Sequence, residues 1–247
     1  MPLPTLRVPK HDLILPSNGK KIQYRPFVVG EHKVLLQAIE MKDESQLSNA
    51  LDDIVKGCVF GDFDINQATV YDVEWILLHI RAKSVNEIVE MIYKCNNTVN
   101  DEHGLPKKCG GRIEVDVPLL EVQIVRPDGH DKTIILDEDA KVGMVMRDLP
   151  YGVLKAANSK DSLADAGLVL ISECVDRIFQ NDTVFSRKDF TQDDLIVFLE
   201  QLSVDQFKQV EQFIETMPFL QLQLQLRCPK CGAVDTLTLR GLDDFLR

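Results

Sequence analysis

The sequence has no long apolar run. Its longest, Trp75–Leu78 and Gly167–Ile171 among them, fall far short of the ~18 residues a membrane-crossing helix needs, so no membrane span is expected. The first residues, Met1-Pro2-Leu3-Pro4-Thr5-Leu6-Arg7, lack the apolar stretch and small-residue cleavage site of a secretory leader, which makes the cytosol the expected compartment. Positive charge is also scarce: 28 Lys and Arg stand against 39 Asp and Glu, for a net −11. Nucleic-acid binders draw affinity from cations that displace counterions, so the charge argues against a general phosphate-binding surface and no nucleic-acid partner is expected. Catalytic signatures are missing too. There is no Gly-x-Ser-x-Gly elbow, no His-Glu-x-x-His, no phosphate-cradling glycine loop and no kinase signature. No catalytic residue and no small-molecule cofactor site is assigned.

What the chain does have is cysteine, six in 247 residues. In a reducing cytosol these read as metal ligands or core thiols before disulfides. Cys228-Pro229-Lys230-Cys231-Gly232 is a knuckle-like turn, in which two thiolates converge on one ion and the glycine permits the tight backbone after the second ligand. Cys109-Gly110-Gly111 resembles half of another, with Cys95 as its partner, although thirteen residues replace the usual two between them. Two thiolates do not close a structural site and four do. Cys95, Cys109, Cys228 and Cys231 are therefore the expected ligands of one structural zinc tying the middle of the chain to its end, with no coordination position left for substrate. Free surface thiols at Cys228 and Cys231 are the plainer alternative. The cations beside the turns, Lys107, Lys108, Arg112, Arg227 and Lys230, read as solvated or as offsets to thiolate charge.

Periodicity outlines the rest. Residues 1–25, with four prolines, read as an extended arm or an edge strand. Val34, Leu35, Ala38 and Ile39, and then Leu47, Leu51, Ile54, Val55 and Cys58, recur at helical spacing, which puts Cys58 in the core. Asp62, Asp64 and Asn66 lack a calcium-loop pattern and read as a turn. A helix is expected over Val70–Ala82, with Trp75 and His79 sharing a face and His79 in a packing or hydrogen-bonding role. Ser84-Val85-Asn86-Glu87 fits a capping box, so either a helix or a strand could lead to Cys95. Asn96–Lys108 reads as a polar loop, Ile113–Val117 as a strand, and Leu119–Val125 as a continuation of its sheet. After a turn at Asp128-Gly129 come short extended pieces over 133–136 and 142–146. A helical stripe is expected over Leu163–Phe179, with Cys174 in the core. Two further helices start at Thr191 and at Ser203, the second ended by Pro218. Leu220–Leu226 alternates without a fault as a one-face-buried strand, and Val234–Leu239 returns beside it.

The expected fold is α+β: helical domains packed with a small antiparallel sheet that carries a zinc-ribbon-like site made from two distant segments. The expected divisions are an N-terminal arm (1–25), an N-terminal helical part (26–94), the first knuckle and strands (95–160), a C-terminal helical part (161–217), and a C-terminal β-hairpin with the second knuckle (218–247).

Three stretches carry a family likeness. Arg25-Pro26-Phe27-Val28-Val29-Gly30-Glu31-His32-Lys33-Val34-Leu35-Leu36-Gln37-Ala38 is an apolar entry into a charged, Leu-rich helix. Tyr71-Asp72-Val73-Glu74-Trp75-Ile76-Leu77-Leu78-His79-Ile80-Arg81-Ala82-Lys83-Ser84-Val85 leads on to Cys95, and Met217-Pro218 runs through the strand pair to Gly241-Leu242-Asp243-Asp244-Phe245-Leu246. In these, over residues 26 to 247, the chain resembles the baseplate hub and hub-assembly proteins of T-even-type bacteriophages with contractile tails. The resemblance implies a non-enzymatic role in building or forming the baseplate hub. It implies other hub or tape-measure proteins as partners, and residence in the host cytoplasm during assembly or in the tail baseplate. It also favours a strand into Cys95. A zinc-ribbon nucleic-acid module, motivated by the knuckles and opposed by the charge, is the second reading. A cell-wall hydrolase, for which the sequence supplies no nucleophile or acid pair, is the third.

Overall fold

The structure, a computed structural model, describes residues 7–41, 43–157 and 163–246. The chain opens with β1 (His11–Ile14) and β2 (Lys21–Tyr24), an antiparallel hairpin in which His11 faces Tyr24 and Ile14 faces Lys21. Of the two readings for the N-terminal region, the edge strand is the one formed over 11–24, because Leu13, Ile22 and Tyr24 bury on alternate positions. Residues 1–6, which hold two of the prolines, lie outside the described residues. Next come α1 (Val29–Met41) and α2 (Glu44–Cys58), the latter started by Asp43, whose carboxylate accepts from the N–H groups of Ser45 and Gln46. β3 (Val59–Phe60) adds to β2, and residues 61–68 are turns, with Asn66 N–H donating to Asp64.

The central helix is α3 (Val70–Ser84), capped by Thr69. Its apolar residues occupy nearly every side, and Val73, Ile76, Leu78 and Ile80 are all but inaccessible. A helix apolar all round belongs inside a protein, and here it is the axis of the larger core. No new helix starts at Ser84. Its hydroxyl is already engaged with Ile80 O, four residues back, and accepts from Phe27 N–H, so it cannot cap. The chain instead becomes β4 (Ile88–Lys94), and the strand alternative holds.

β5 (Thr98–Asn100) and β6 (Pro106–Lys108) form a small hairpin where a loop was expected. β7 (Arg112–Pro118) pairs with β4 along its whole length. Leu119–Glu121 is a 3-10 turn, and β8 (Gln123–Val125) does not continue that sheet but joins the C-terminal hairpin. β9 (Thr133–Asp137) and β10 (Val142–Met146) follow, then α4 (Tyr151–Ala157) and α5 (Leu163–Cys174).

The helix expected to reach Phe179 stops at Cys174, whose carbonyl accepts from Arg147 N–H at 2.7 Å. Val175–Gln180 is β11, held by β10 on one side and by β12 (Thr183–Ser186) on the other. Partners on both edges outweigh an apolar spacing that either period could satisfy. The regions 26–94 and 161–217 are therefore helical only in part. α6 (Gln192–Glu200) and α7 (Val204–Glu215) both begin with full capping boxes, at Thr191 and Ser203. β13 (Phe219–Arg227), β14 (Val234–Arg240) and α8 (Asp243–Leu246) end the chain.

The fold is thus mixed α and β with several small antiparallel sheets in place of one. Two hydrophobic cores result. The first gathers α3, the N-terminal strands, β4, β7 and the C-terminal hairpin, so both ends of the chain share it. The second lies among β9 to β11 and α5 to α7. Asp148 links them, accepting from Tyr71 Oη at 3.2 Å and Lys132 Nζ at 2.8 Å and lying 3.4 Å from His130 Nε2, while the His130 ring stacks on Phe213. Among the described residues no helix is long and apolar enough to cross a membrane.

Candidate metal centre

Two β-hairpins present their ends to each other on the first core. In one, the β4–β7 pairing finishes with Lys94 opposite Arg112; just beyond, Cys95 N–H donates to Gly111 O at 2.8 Å and Gly110 N–H to Cys95 O at 3.0 Å. The thirteen intervening residues leave and return as the β5–β6 hairpin, with Cys109 N–H donating to Asn97 O at 2.8 Å. Cys95 and Cys109 thus flank the neck of a side hairpin, and the length of the insert does not separate them. In the other, the β13–β14 ladder finishes with Arg227 opposite Val234; Cys228 N–H donates to Ala233 O, and Gly232 N–H to Cys228 O, each at 2.9 Å.

The two turns are built alike. Gly110 and Gly232, each next to the second cysteine of its pair, have φ of 59° and 75°, where a side chain would be strained. Gly111 is required for closeness as well, since a Cβ there would lie 2.8 Å from Cys228 Sγ.

All four sulfurs lie within 4.8 Å of one another. Cys95 Sγ is 3.7 Å from Cys231 Sγ, and Cys109 Sγ is 3.8 Å from Cys228 Sγ. A disulfide needs about 2.05 Å, so these are free thiols. A zinc ion bonded at about 2.3 Å to four tetrahedral sulfurs would set them about 3.8 Å apart, so the spacing found fits a tetrahedral thiophilic ion. Cys95, Cys109 and Cys228 are buried and Cys231 is half-buried. The four thiols together can hold a metal ion.

Electrostatics shift the thiols of this cluster in opposite directions, Cys231 down and Cys95 and Cys109 up. The Ala233 N–H, outweighing burial, brings the Cys231 thiol down to about 6. At Cys95 the Asn97 N–H lowers the thiol, but burial and the neighbouring Cys228, Cys231 and Cys109 push it up to about 12. Crowded thiols cannot all ionise unaided; a cation removes that limit by compensating the charge. Lys230 Nζ donates to Cys109 O at 2.9 Å and straps one turn to the other. The N–H donors of Asn97, Gly111 and Ala233 went unread in the sequence, because a backbone group carries no residue signature. Only the position two residues after each cysteine could have marked them.

The remaining cysteines and the histidine stay apart from the site. Cys58 and Cys174 are wholly buried, in different cores, and burial pushes their thiols up to about 11 and about 12. His79 packs edge-on against Trp75 at 4.4 Å between centroids, and burial pulls it down to about 4, so it is neutral packing.

A family described as T4 bacteriophage base plate protein matches residues 8–247. The chain belongs to that family. The baseplate hub assembly protein gp26 of Enterobacteria phage T4 is similar to it, 22% identical over 227 residues that cover 92% of this chain and 93% of that protein. No solved structure matches the chain. In this member of the base plate family, the three stretches that carried the resemblance in the sequence fall on α1, on α3 and on β13 to α8. All of them contribute to the first core, the one that carries the four thiols.

Proposed function

We propose that this protein helps to build the central hub of a contractile-tail baseplate, as a hub component or an assembly factor. It acts by binding other tail proteins, hub or tape-measure proteins among them, and turns over no substrate. Assembly takes place in the host cytoplasm, and the product is the tail baseplate. The observation that carries this reading is the family match over nearly the whole chain, with a relative of almost equal length named for hub assembly.

Within that role Cys95, Cys109, Cys228 and Cys231 hold one structural zinc, and the two hairpins around it make a zinc-ribbon-like clasp. The support is the sulfur spacing and the matched turns. With four protein ligands no position remains for a reacting molecule. The clasped first core is the rigid platform, and the acidic helices or the proline-rich N-terminal region offer contact surface. Affinity purification of the chain from infected cells, with its associated proteins identified, tests the function. Recovery of baseplate hub or tape-measure proteins in stoichiometric amount is expected; recovery of no tail protein would overturn the reading.

A further inference from the structure

The chain is acidic, but its charge is not evenly spread. Residues 94–112 and 227–232, the hairpin ends around the four thiols, hold six cations, Lys94, Lys107, Lys108, Arg112, Arg227 and Lys230, against two carboxylates, Asp101 and Glu102. All six are exposed. Elsewhere cations are commonly paired with carboxylates, yet among the described residues only Arg112 of these six has such a partner, the exposed Glu114 at 3.4 Å. A zinc with four thiolates would add a charge of about −2, which leaves this end net positive. Leu105 lies amid the cations at the tip of the β5–β6 hairpin, 62% exposed.

The opposite character is found on α6 and α7. Residues 192–215 hold six carboxylates, Asp193, Asp194, Glu200, Asp205, Glu211 and Glu215, against Lys208 alone, and all six are exposed. Val197 and Val204, at 53% and 73% exposure, supply apolar area among them. This helix pair builds the second core and the basic end stands on the first. Among the described residues no hydrogen bond or ion pair joins them, so the two surfaces do not satisfy each other within one chain.

We propose that the basic hairpin end of one molecule docks on the α6–α7 face of a second copy. Each segment exposes apolar side chains among its charges, as protein contacts do, and the two sets of charges are of opposite sign. The contact joins different patches of the two copies, so it propagates head to tail and closes only into a ring. The net charge of −11 opposes close approach in general, which makes any association depend on this orientation.

The test is sedimentation velocity of the full chain, purified with its metal, at about 50 mM and about 500 mM salt, which brackets strong and weak screening. Wild type should self-associate at low salt and dissociate at high salt. Lys94→Glu/Lys107→Glu/Lys108→Glu should weaken association by at least about tenfold, as should Asp193→Lys/Glu200→Lys/Glu211→Lys, and a mixture of the two variants should associate again. That rescue separates a lost contact from a misfolded variant. Leu105→Asp should weaken association without altering the cations. A wild type that is monomeric at both salts, association indifferent to both charge reversals, or a monomer retained on DNA through the same lysines would each overturn the proposal.

Discussion

Replacing Cys228 by serine is the sharpest test of the thiol cluster. Cys228 Sγ lies 3.8 Å from Cys109 Sγ, and the two residues are 119 apart in sequence. A cross-link closing a loop of that length restricts the unfolded chain by about 4–5 kcal/mol. For a domain of this size each kcal/mol moves the melting temperature by roughly 2–4 °C, so loss of the clasp should lower it by about 10 °C or more. The metal bonds add to that lower bound, since structural zinc contributes about 10–16 kcal/mol in small domains. An even share among four thiolates is about 3 kcal/mol, or about a hundredfold in affinity. Metal analysis of the purified protein should give one zinc per chain. Cys228→Ser should lose it in the presence of a mild chelator that wild type withstands, and a strong chelator should bring wild type down to the melting temperature of the variant. A wild type purified without stoichiometric metal, or one whose melting is untouched by strong chelation, refutes the clasp. Cys58→Ala and Cys174→Ala should retain full metal content, since each thiol is buried in a core away from the cluster.

Burial pushes the Glu74 carboxyl up to about 7 from an ordinary 4.5, against the lowering effect of Leu242 N–H and with a further rise from Asp243. The folded chain therefore keeps a proton the unfolded chain has lost. The penalty is absent below about pH 4.5, grows as pH rises, and is complete above about pH 7, at about 3 kcal/mol. Glu74→Gln should raise the melting temperature at pH 8 and leave it unchanged at pH 4; equal shifts at both would show the carboxyl is not desolvated. Gly143→Ala would place a methyl group against the Phe179 ring and 2.7 Å from Ile134 O, so a loss of about 1–3 kcal/mol in denaturant unfolding is expected. Combining it with Phe179→Leu should recover part of the loss, because the ring is the nearer obstacle. Leu220→Ala, at a wholly buried position on β13, should cost about 2–5 kcal/mol; a change below 1 would mean that β13 does not belong to the first core.

The local elements that could be read correctly are those whose signal is short-range. The faultless alternation of Leu220–Leu226, the helix starts at Thr191 and Ser203, and the apolar helix around Val73–Ile80 each meet a backbone requirement from residues close in sequence. The open and the mistaken readings came where local chemistry was neutral. Ser84 offered a capping side chain, yet its hydroxyl was already engaged inside the preceding helix. Leu163–Phe179 had apolar spacing that suits a helix or a strand, and the sheet neighbours of β11 divided it at Cys174.

The cysteine types and the glycines behind Cys109 and Cys231 were enough, by themselves, to name four thiols and suggest one ion. Sequence could not show that Cys95 and Cys109 meet across thirteen residues, because that depends on the β5–β6 hairpin folding back on itself. Nor could it show that residues 95–109 reach 228–231, because that depends on α3 drawing both ends of the chain into one core. Ligand identity is a property of residues. Their convergence is a property of how buried surface is shared among distant segments, and only the tertiary structure decides that.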